Sequence, residues 1–377
     1  MAPLRQGKVI CAHGSLNTPF FMPDATRAFV KANTSADAKR AKTEAMVVNT
    51  FHLYLQPGRE IIKKAGGVHS FMDWDFPLLS DSGGFQVFSL IHRANGLGKI
   101  DDERITFKSP IDGSSHELTP EKSIQIQFDL GVDMMVCLDD CPPNDWPKEK
   151  LELAVMRSLV WARRCKDEYE RQLKKRKIKE DKRPLLFAVV QGGDYEDLRR
   201  RCAQALIEIG FDGYGFGARP VDVNGKFLAD TIYQTASFLP ADSLRFALGI
   251  GTPEDIYRCY LMGWDMFDCV IPTREGRHGR LFTFSKRFKG FSRPKGKSGP
   301  VTKFPKFYET CNIDNAKFAQ DFSPINSDSD LPELQRYSRA YLHHLFKLND
   351  SLGQKLASLN NLEFYNRLMR ELRNMNK

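Results

Sequence analysis

Short apolar runs punctuate the chain from residue 45 to residue 272, each ending in a polar or glycine-rich tip. They are AMVVNTF (45–51), FPLLSDSGGF (76–85), DMMVCLDDC (133–141), PLLFAVVQGG (184–193), FDGYGFGA (211–218), LRFALGIG (244–251) and DMFDCVIP (265–272). None alternates cleanly between polar and apolar positions, which is how strands buried on both faces read. Helical patterns lie between them. Residues 194–210 have acids in the first turn, a terminal glycine, and Leu198, Cys202, Ala205, Leu206 and Ile209 on one face. Residues 253–263 open with proline and two acids and close on glycine. In 119–131, Ile124, Ile126, Phe128 and Leu130 alternate like a strand, but Thr119-Pro120-Glu121 is a strong helix start, and we read a helix.

Repeated strand–helix units predict an α/β fold with a parallel sheet and helices outside it. Periodicity alone does not separate an open sheet from a closed barrel. Polar residues recur at the tips of different strands, at Asp81, Asp139, Gln191 and Asp268. Closure would bring all of them to one mouth, which favours a (βα)8 TIM barrel. The expected organisation is one domain over 1–377, with a main barrel at 5–285, a basic insertion at 286–306 and a C-terminal part with a helical subdomain at 307–377. The charge run RQLKKRKIKEDKR (171–183) reads as a solvated loop. In 286–306, phosphate contact with aromatic stacking on the interleaved phenylalanines competes with that reading. The tail from Leu331 carries heptad-like apolar spacing and should pack on the main body or on a partner.

Composition narrows the classes. At 377 residues and 41% hydrophobic content the chain can bury a core, which excludes disorder as its main state. No stretch approaches the ~20 apolar residues of a membrane-spanning helix. The start, MAPLRQGKVICAHG, carries no secretory pattern. The eight cysteines (11, 137, 141, 165, 202, 259, 269 and 311) form no CxxC pair, so a reduced cytoplasmic compartment is expected. A net charge of +9 permits a polyanionic partner without proving one.

Asp81 lies in LLSDSGGFQVFSL, where Gly83 and Gly84 would let the backbone approach a ligand closely. Asp139 follows an apolar strand, and Asp268 is flanked by apolar residues on both sides. A carboxylate in such surroundings needs partners or a task. Singly, each is more often a cap or an ion-pair member. Three on separate strand tips, with Gln191 and Gly217, point to a shared site.

The motifs DSGGFQVFSL, VVNTFHLYLQPG, VVQGG with DLRRRCAQALIEIGFDGYGFG, GIGTPEDI, GWDMFDCVIPTR and YSRAYLHHL resemble those of the tRNA-guanine transglycosylases over nearly the whole chain. The resemblance implies a (βα)8 barrel, usually a homodimer in bacteria. It also implies replacement of the wobble guanine of tRNAs with GUN anticodons by a 7-deazaguanine, without ATP. By that resemblance Asp268 is the nucleophile and Asp81 the proton acceptor and donor. Such a double displacement through a covalent enzyme–RNA intermediate splits one hard step into two. Ionised Asp139 would accept the two Watson–Crick-edge donors of guanine, and Gln191 would donate to its carbonyl. Ser82, Gly83, Gly84, Gly217, Ala218, Leu248 and Gly249 complete the implied base site. Phe85 would stack on the base, with core packing as the alternative. Gly249, Ile250, Gly251, Thr252, Pro253, Glu254 and Asp255 form one implied tRNA-contact stretch, its helix start favouring anions. Thr273, Arg274, Glu275, Gly276 and Arg277, with Arg280 beyond them, form the other; a solvated loop is the alternative for the arginines.

Two departures stand out. The family's structural zinc is expected to be missing, because its ligand positions are Ser329, Leu331, Leu334 and Asn360. Neither His343 nor His344 restores it, since the closest cysteine is Cys311. In the base loop, Ala218 and Arg219 stand where the family has glycine and leucine. Cys141 and Val221 keep the bacterial pattern and lean towards 7-aminomethyl-7-deazaguanine (preQ1) over queuine, while Arg219 opposes a cationic aminomethyl group. A non-catalytic tRNA-binding or partner subunit is the alternative function; the retained Asp81, Asp139, Gln191 and Asp268 argue against it. An archaeal-type enzyme acting deeper in tRNA is disfavoured by the ending soon after YSRAYLHHL.

Overall fold

Eight parallel strands form the centre of the computed structural model, which describes residues 5–86, 88, 98–292, 299–300 and 306–375. They are β1 (Phe20–Pro23), β2 (Met46–Val48), β3 (Leu78–Ser80), β4 (Met134–Val136), β5 (Leu185–Val190), β6 (Gly213–Phe216), β7 (Leu244–Ala247) and β8 (Met266–Cys269). Each pairs with the next in sequence from β2 to β8, and β8 pairs with β1. A parallel bridge between Asp24 and Val47, with the Ala25 N–H donating to the Val47 carbonyl at 2.8 Å, closes β1 onto β2. The fold is therefore the expected TIM barrel. Seven of its strands coincide with the apolar runs. The eighth, β1, is only four residues long, follows Pro19 and ends on Pro23, so prolines at both ends obscure its strand pattern.

Alternation sorts the strand residues into two layers. Phe20 and Met22, Val47, Leu79, Met134 and Val136, Phe187 and Val189, Phe246, and Met266 fill the barrel interior. Their neighbours face the helices outside. Those helices include α1 (Pro120–Leu130), α2 (Lys148–Arg176), α3 (Glu196–Ile209), α4 (Ala229–Phe238) and α5 (Pro253–Leu261). Thr119 caps α1, accepting from the Lys122 N–H at 3.1 Å, so the start signal outweighs the strand-like alternation. Part of the run 171–183 is the end of α2 rather than a loop, because Glu168, Arg171, Gln172 and Arg176 bond along the helix until Lys177 turns left-handed.

After β8 the chain forms α6 (Ile271–Arg277), the antiparallel pair Arg280–Phe284 and Tyr308–Asn312, and then α7 (Arg339–Lys347) and α8 (Ser351–Asn374). The tail packs on the main body: α8 runs past β1, α5 and α6. Of the basic insertion, residues 293–298 and 301–305 lie outside the described residues. In the described part, Phe288 and Phe291 stack on Phe284 and Tyr257, with centroids 5.0 and 4.8 Å apart, so these two rings join the core.

The positions anchored to the family's zinc pattern do not supply a metal-ligand set. Leu331 and Leu334 are buried in the apolar core. The Ser329 hydroxyl donates to the Glu363 carboxylate, which also accepts from the Asp330 N–H at 2.7 Å. The Asn360 amide donates to the Phe282 carbonyl and accepts from Asn326, both at 3.0 Å. Among the described residues no helix is long and apolar enough to cross a membrane.

An N-terminal hairpin, Lys8–Cys11 with Gly14–Asn17, plugs the lower end of the barrel with Val9, Cys11 and Leu16. Buried Asp133 clasps it. This carboxylate accepts from the His13 N–H (2.9 Å), His13 Nδ1 (3.0 Å) and the Leu78 N–H (2.9 Å), and His69 Nε2 lies 3.1 Å away. Burial alone would raise the Asp133 carboxyl, but the hydrogen bonds from His13, His69 and Leu78 outweigh it and hold the group below the usual carboxylate range. The bond to Asp133 raises His13 against partial desolvation. A raised histidine stabilises the fold fully below its unfolded pKa of ~6.5, and that contribution is lost as pH climbs through the higher folded value. The melting temperature of the wild type should therefore exceed that of His13→Asn most at about pH 6 and progressively less towards about pH 8. A difference that does not change with pH in thermal melts would remove the proton-linked clasp.

Candidate active site

Continuing the inward-facing period by one step beyond the apolar layer places a polar residue on most strands. Met22 leads to Asp24, Val47 to Asn49, Leu79 to Asp81, Val189 to Gln191, and Met266 to Asp268, while Phe246 leads to Leu248. Asp139 departs from this rule. Leu138 turns outward into the helix-side core, and the chain after β4 brings Asp139 to the mouth. The structure thus gathers the four polar residues singled out in the sequence and adds Asp24 and Asn49. The added pair occupy the same strand-tip position as Asp81, which is the signal that could have flagged them.

Burial raises Asp81 to about 7, against the Thr50 and Gly83 N–H donors that favour its carboxylate, and the charges of Asp268 and Asp24 add to the rise. Those donors reach Oδ1 at 3.0 and 3.1 Å, while Asn49 Nδ2 and Gln86 Nε2 address Oδ2. Burial likewise raises Asp268 to about 7, opposed by the Gly249 N–H at 2.8 Å and assisted by Asp24. Asp139 is raised to about 7 by burial, opposed by Gln191, whose Nε2 donates to Oδ2 at 2.6 Å, and assisted by Asp140. The two carboxyl groups lie at the same end of the barrel, close enough for Asp81 to feel the charge of Asp268.

Glycine creates the room. On β6 the inward positions are Gly213, Gly215 and Gly217. A Cβ at Gly217 would lie 2.4 Å from Gln191 Nε2, and one at Gly215 would lie 2.3 Å from Leu248 Cδ1. The pair after Asp81 also answers a packing need of the protein itself. A Cβ on Gly83 would meet the Phe51 backbone at 3.1 Å, and one on Gly84 would meet Leu138 at 2.9 Å. These glycines bring the turn close to the protein itself. Buried Ser82 is fixed by its carbonyl, which accepts from Ser123 at 2.8 Å. Phe85 is 53% exposed and does not belong to the core. Arg219 is exposed, and its carbonyl accepts from Asn144 Nδ2 at 2.8 Å. Cys141 and Leu248 are half-buried at the rim.

The two stretches expected at tRNA divide into inward and outward parts. Ile250, Gly251, Pro253, Thr273 and Gly276 are buried. Gly251 lies against Cys269, and Gly276 against Ser358 of α8. Thr252 is exposed and caps α5, accepting from the Asp255 N–H at 3.2 Å. Glu254 and Asp255 occupy that first turn, where their charge offsets the pull of the helix start on anions. Arg274 and Arg280 are exposed and flank Glu275 at 3.5 and 3.3 Å. Arg277 is half-buried and faces Asp24, although desolvation lowers its pKa. From behind, α8 grips both stretches. The Tyr365 hydroxyl donates to the Gly251 carbonyl at 2.6 Å, and Asn361 Nδ2 donates to the Pro272 carbonyl at 2.9 Å.

The family model described as Queuine tRNA-ribosyltransferase matches residues 2–375. Curated proteins of that name from Staphylococcus aureus strains JH9, Mu50 and USA300 are each 40% identical over 369 residues, covering 98% of this chain and 88% of the relative. A barrel whose mouth collects three raised carboxyl groups and a carboxylate–amide pair, matched along its whole length at this identity, belongs to the tRNA-guanine transglycosylases.

Proposed function

We propose that the protein exchanges the wobble guanine of tRNAs with GUN anticodons for a 7-deazaguanine by double displacement. Asp268 attacks the anomeric carbon of the nucleotide, forming a glycosyl ester as the bond to guanine breaks. Asp81 gives the departing base its proton and later takes one from the incoming base. Asp139 and Gln191 read the base edge, with the Gly217–Ala218 backbone supplying a further donor. Phe85 stacks on the base, a contact worth ~1–3 kcal/mol. Arg274 and Arg277 hold phosphate near the nucleophile, Thr252 lines the same approach, and Thr273 and Gly276 serve by shaping the backbone. The observation that carries this reading is the pair of carboxyl groups at strand tips on the same end of the barrel, Asp81 and Asp268, both raised to about 7 by burial and the first feeling the charge of the second. A group near 7 gives and takes a proton with little loss at neutral pH.

Solvent screens the charge of exposed Arg219, which weakens its opposition to an aminomethyl cation and leaves preQ1 the favoured incoming base. Direct competition between preQ1 and queuine for one tRNA tests that preference, and faster exchange of queuine reverses it. The reading includes a cytoplasmic homodimer without the family zinc. Exposed Phe322 and the stacked pair Tyr337–Tyr341, 5.1 Å apart, offer an apolar contact face on the C-terminal part. Metal analysis of the purified protein should find less than one zinc per chain.

Incubated with unmodified tRNA and labelled guanine, the wild type should exchange label and form a covalent complex visible on a denaturing gel. Asp268→Asn should form no complex and lose roughly 10⁴-fold or more in rate. Asp81→Asn should retain binding and lose ~10²–10⁴-fold. Undiminished turnover by Asp268→Asn would overturn the scheme.

The pH dependence follows from the same groups. Asp268 and Asp139 must be ionised, so activity should rise with pH up to about 7. Asp81 must be protonated to release guanine, so activity should fall above about 7. The result is a bell whose limbs belong to the coupled set. Removing the charge at Asp24 lowers the pKa of Asp268, so Asp24→Asn should move the acid limb of kcat/KM to lower pH. An unmoved limb would show that Asp24 does not act on the nucleophile.

A further inference from the structure

Behind the base-reading wall lies a buried cation. Arg199 of α3 is fully buried, and among the described residues it makes no ion pair. Burial lowers it only to about 10, so it stays charged at neutral pH. A cation there is costly unless its hydrogen bonds are met. They are met by three carbonyls. Nε donates to Gly193 O at 2.6 Å, Nη1 to Val190 O at 3.2 Å and Nη2 to Gly217 O at 2.9 Å, and the guanidinium lies 4.3 Å from the Phe216 ring centroid. The fork therefore ties the tip of β5 to the tip of β6, the two strands that carry Gln191 and Gly217.

Resting on the function proposed above, we infer that Arg199 is a positioning residue that aims the Ala218 N–H at the carbonyl of the bound base. In a trans peptide the carbonyl and the following N–H point in opposite directions. With the Gly217 carbonyl held back towards α3 by Arg199, the Ala218 N–H faces the other way, towards the mouth. No backbone or side-chain acceptor among the described residues takes that N–H. Its backbone is also under strain. Ala218 has φ +139°, a conformation that glycine adopts readily and alanine rarely does. The Arg199 bond opposes relaxation of that strain. The fit is tight on both sides, since a Cβ at Gly192 would lie 2.7 Å from the Arg199 backbone nitrogen and one at Gly217 would lie 2.4 Å from Gln191 Nε2.

The test is guanine exchange into tRNA by the full-length protein, with KM for guanine and KM for tRNA measured separately. Arg199→Lys keeps a cation but lacks the fork. It should raise KM for guanine about 10-fold and leave KM for tRNA within about two-fold, with the melting temperature recorded alongside. Adding Ala218→Gly relieves the strain that Arg199 opposes, so Arg199→Lys/Ala218→Gly should recover most of the lost guanine affinity. Arg199→Met should exceed the lysine variant in its effect on guanine. If the lysine variant raises both KM values together, lowers kcat alone, or gains nothing from Ala218→Gly, the positioning role is wrong and Arg199 merely supports the fold. Absence of exchange by the wild type would instead defeat the proposed function itself.

Discussion

Desolvation at the barrel mouth is the constraint on which the rest of the site turns. Three carboxyl groups, Asp81, Asp139 and Asp268, sit where burial raises each to about 7. Left to themselves, buried acids would simply be neutral. Each is instead met by donors that favour the charge: Thr50 and Gly83 for Asp81, Gly249 for Asp268, and Gln191 for Asp139. Burial and hydrogen bonding pull in opposite directions; burial prevails, and the donors limit the rise to about 7, where the groups can change protonation at neutral pH. Asp24 enters as a charge beside Asp81 and Asp268, adding to the rise of both.

The barrel supplies that balance through alternation. Apolar residues fill the interior up to Met22, Val47, Leu79, Val189 and Met266. The next inward position on the same strands is polar and meets solvent on one side only. Space at the mouth is allotted by β6, whose inward face is glycine throughout. Gly217 yields to Gln191, Gly215 to Leu248, and Gly213 to Phe187. A methyl group at any of them would overlap a side chain of a neighbouring strand. The polarity of the ring and the emptiness of one wall are thus two outcomes of the same two-residue period.

Much of this was legible in the sequence. The strands from β2 to β8 announced themselves as apolar runs, because strands buried on both faces cannot afford polar alternation. Asp81, Asp139, Gln191 and Asp268 were visible as polar residues at their tips. What escaped had physical reasons. The first strand is four residues that follow one proline and end on another, so Asp24 just after it lacked an apparent strand to crown. Asn49 was not singled out, and it also caps the short helix that follows, accepting from the His52 N–H at 2.9 Å. The packing of Gly83 on Phe51 and of Gly84 on Leu138 is a tertiary requirement that the sequence does not show. Arg199 was hidden in a charged helix turn, RRR, in which only tertiary packing distinguishes the buried member from its exposed neighbours. The phenylalanines of the basic insertion suggested stacking on bases, whereas Phe288 and Phe291 bury against Tyr257 and Phe284.

The outer layer completes the argument, because the site's loops are held from behind as firmly as its side chains are from within. On α8, Tyr365 binds the carbonyl of Gly251 and Asn361 binds that of Pro272, fixing the segments after β7 and β8. Asn366 of the same helix donates to the Ala41 carbonyl at 2.8 Å, and Arg373 to the Pro19 carbonyl at 3.0 Å, so α8 also spans the entry to β1. The Glu363 carboxylate carries this anchoring into the C-terminal part through Ser329 and Asp330. Leu331 and Leu334 add apolar burial at positions where the family pattern would place thiolates, each worth ~1.5–3 kcal/mol if fully transferred from water. Such packing is distributed and short-ranged, whereas a metal ties its ligands at one point. Along α8 the contacts run without a break, from Glu363 through Asn361 to Tyr365 and so to the backbone of the segments beside Asp268.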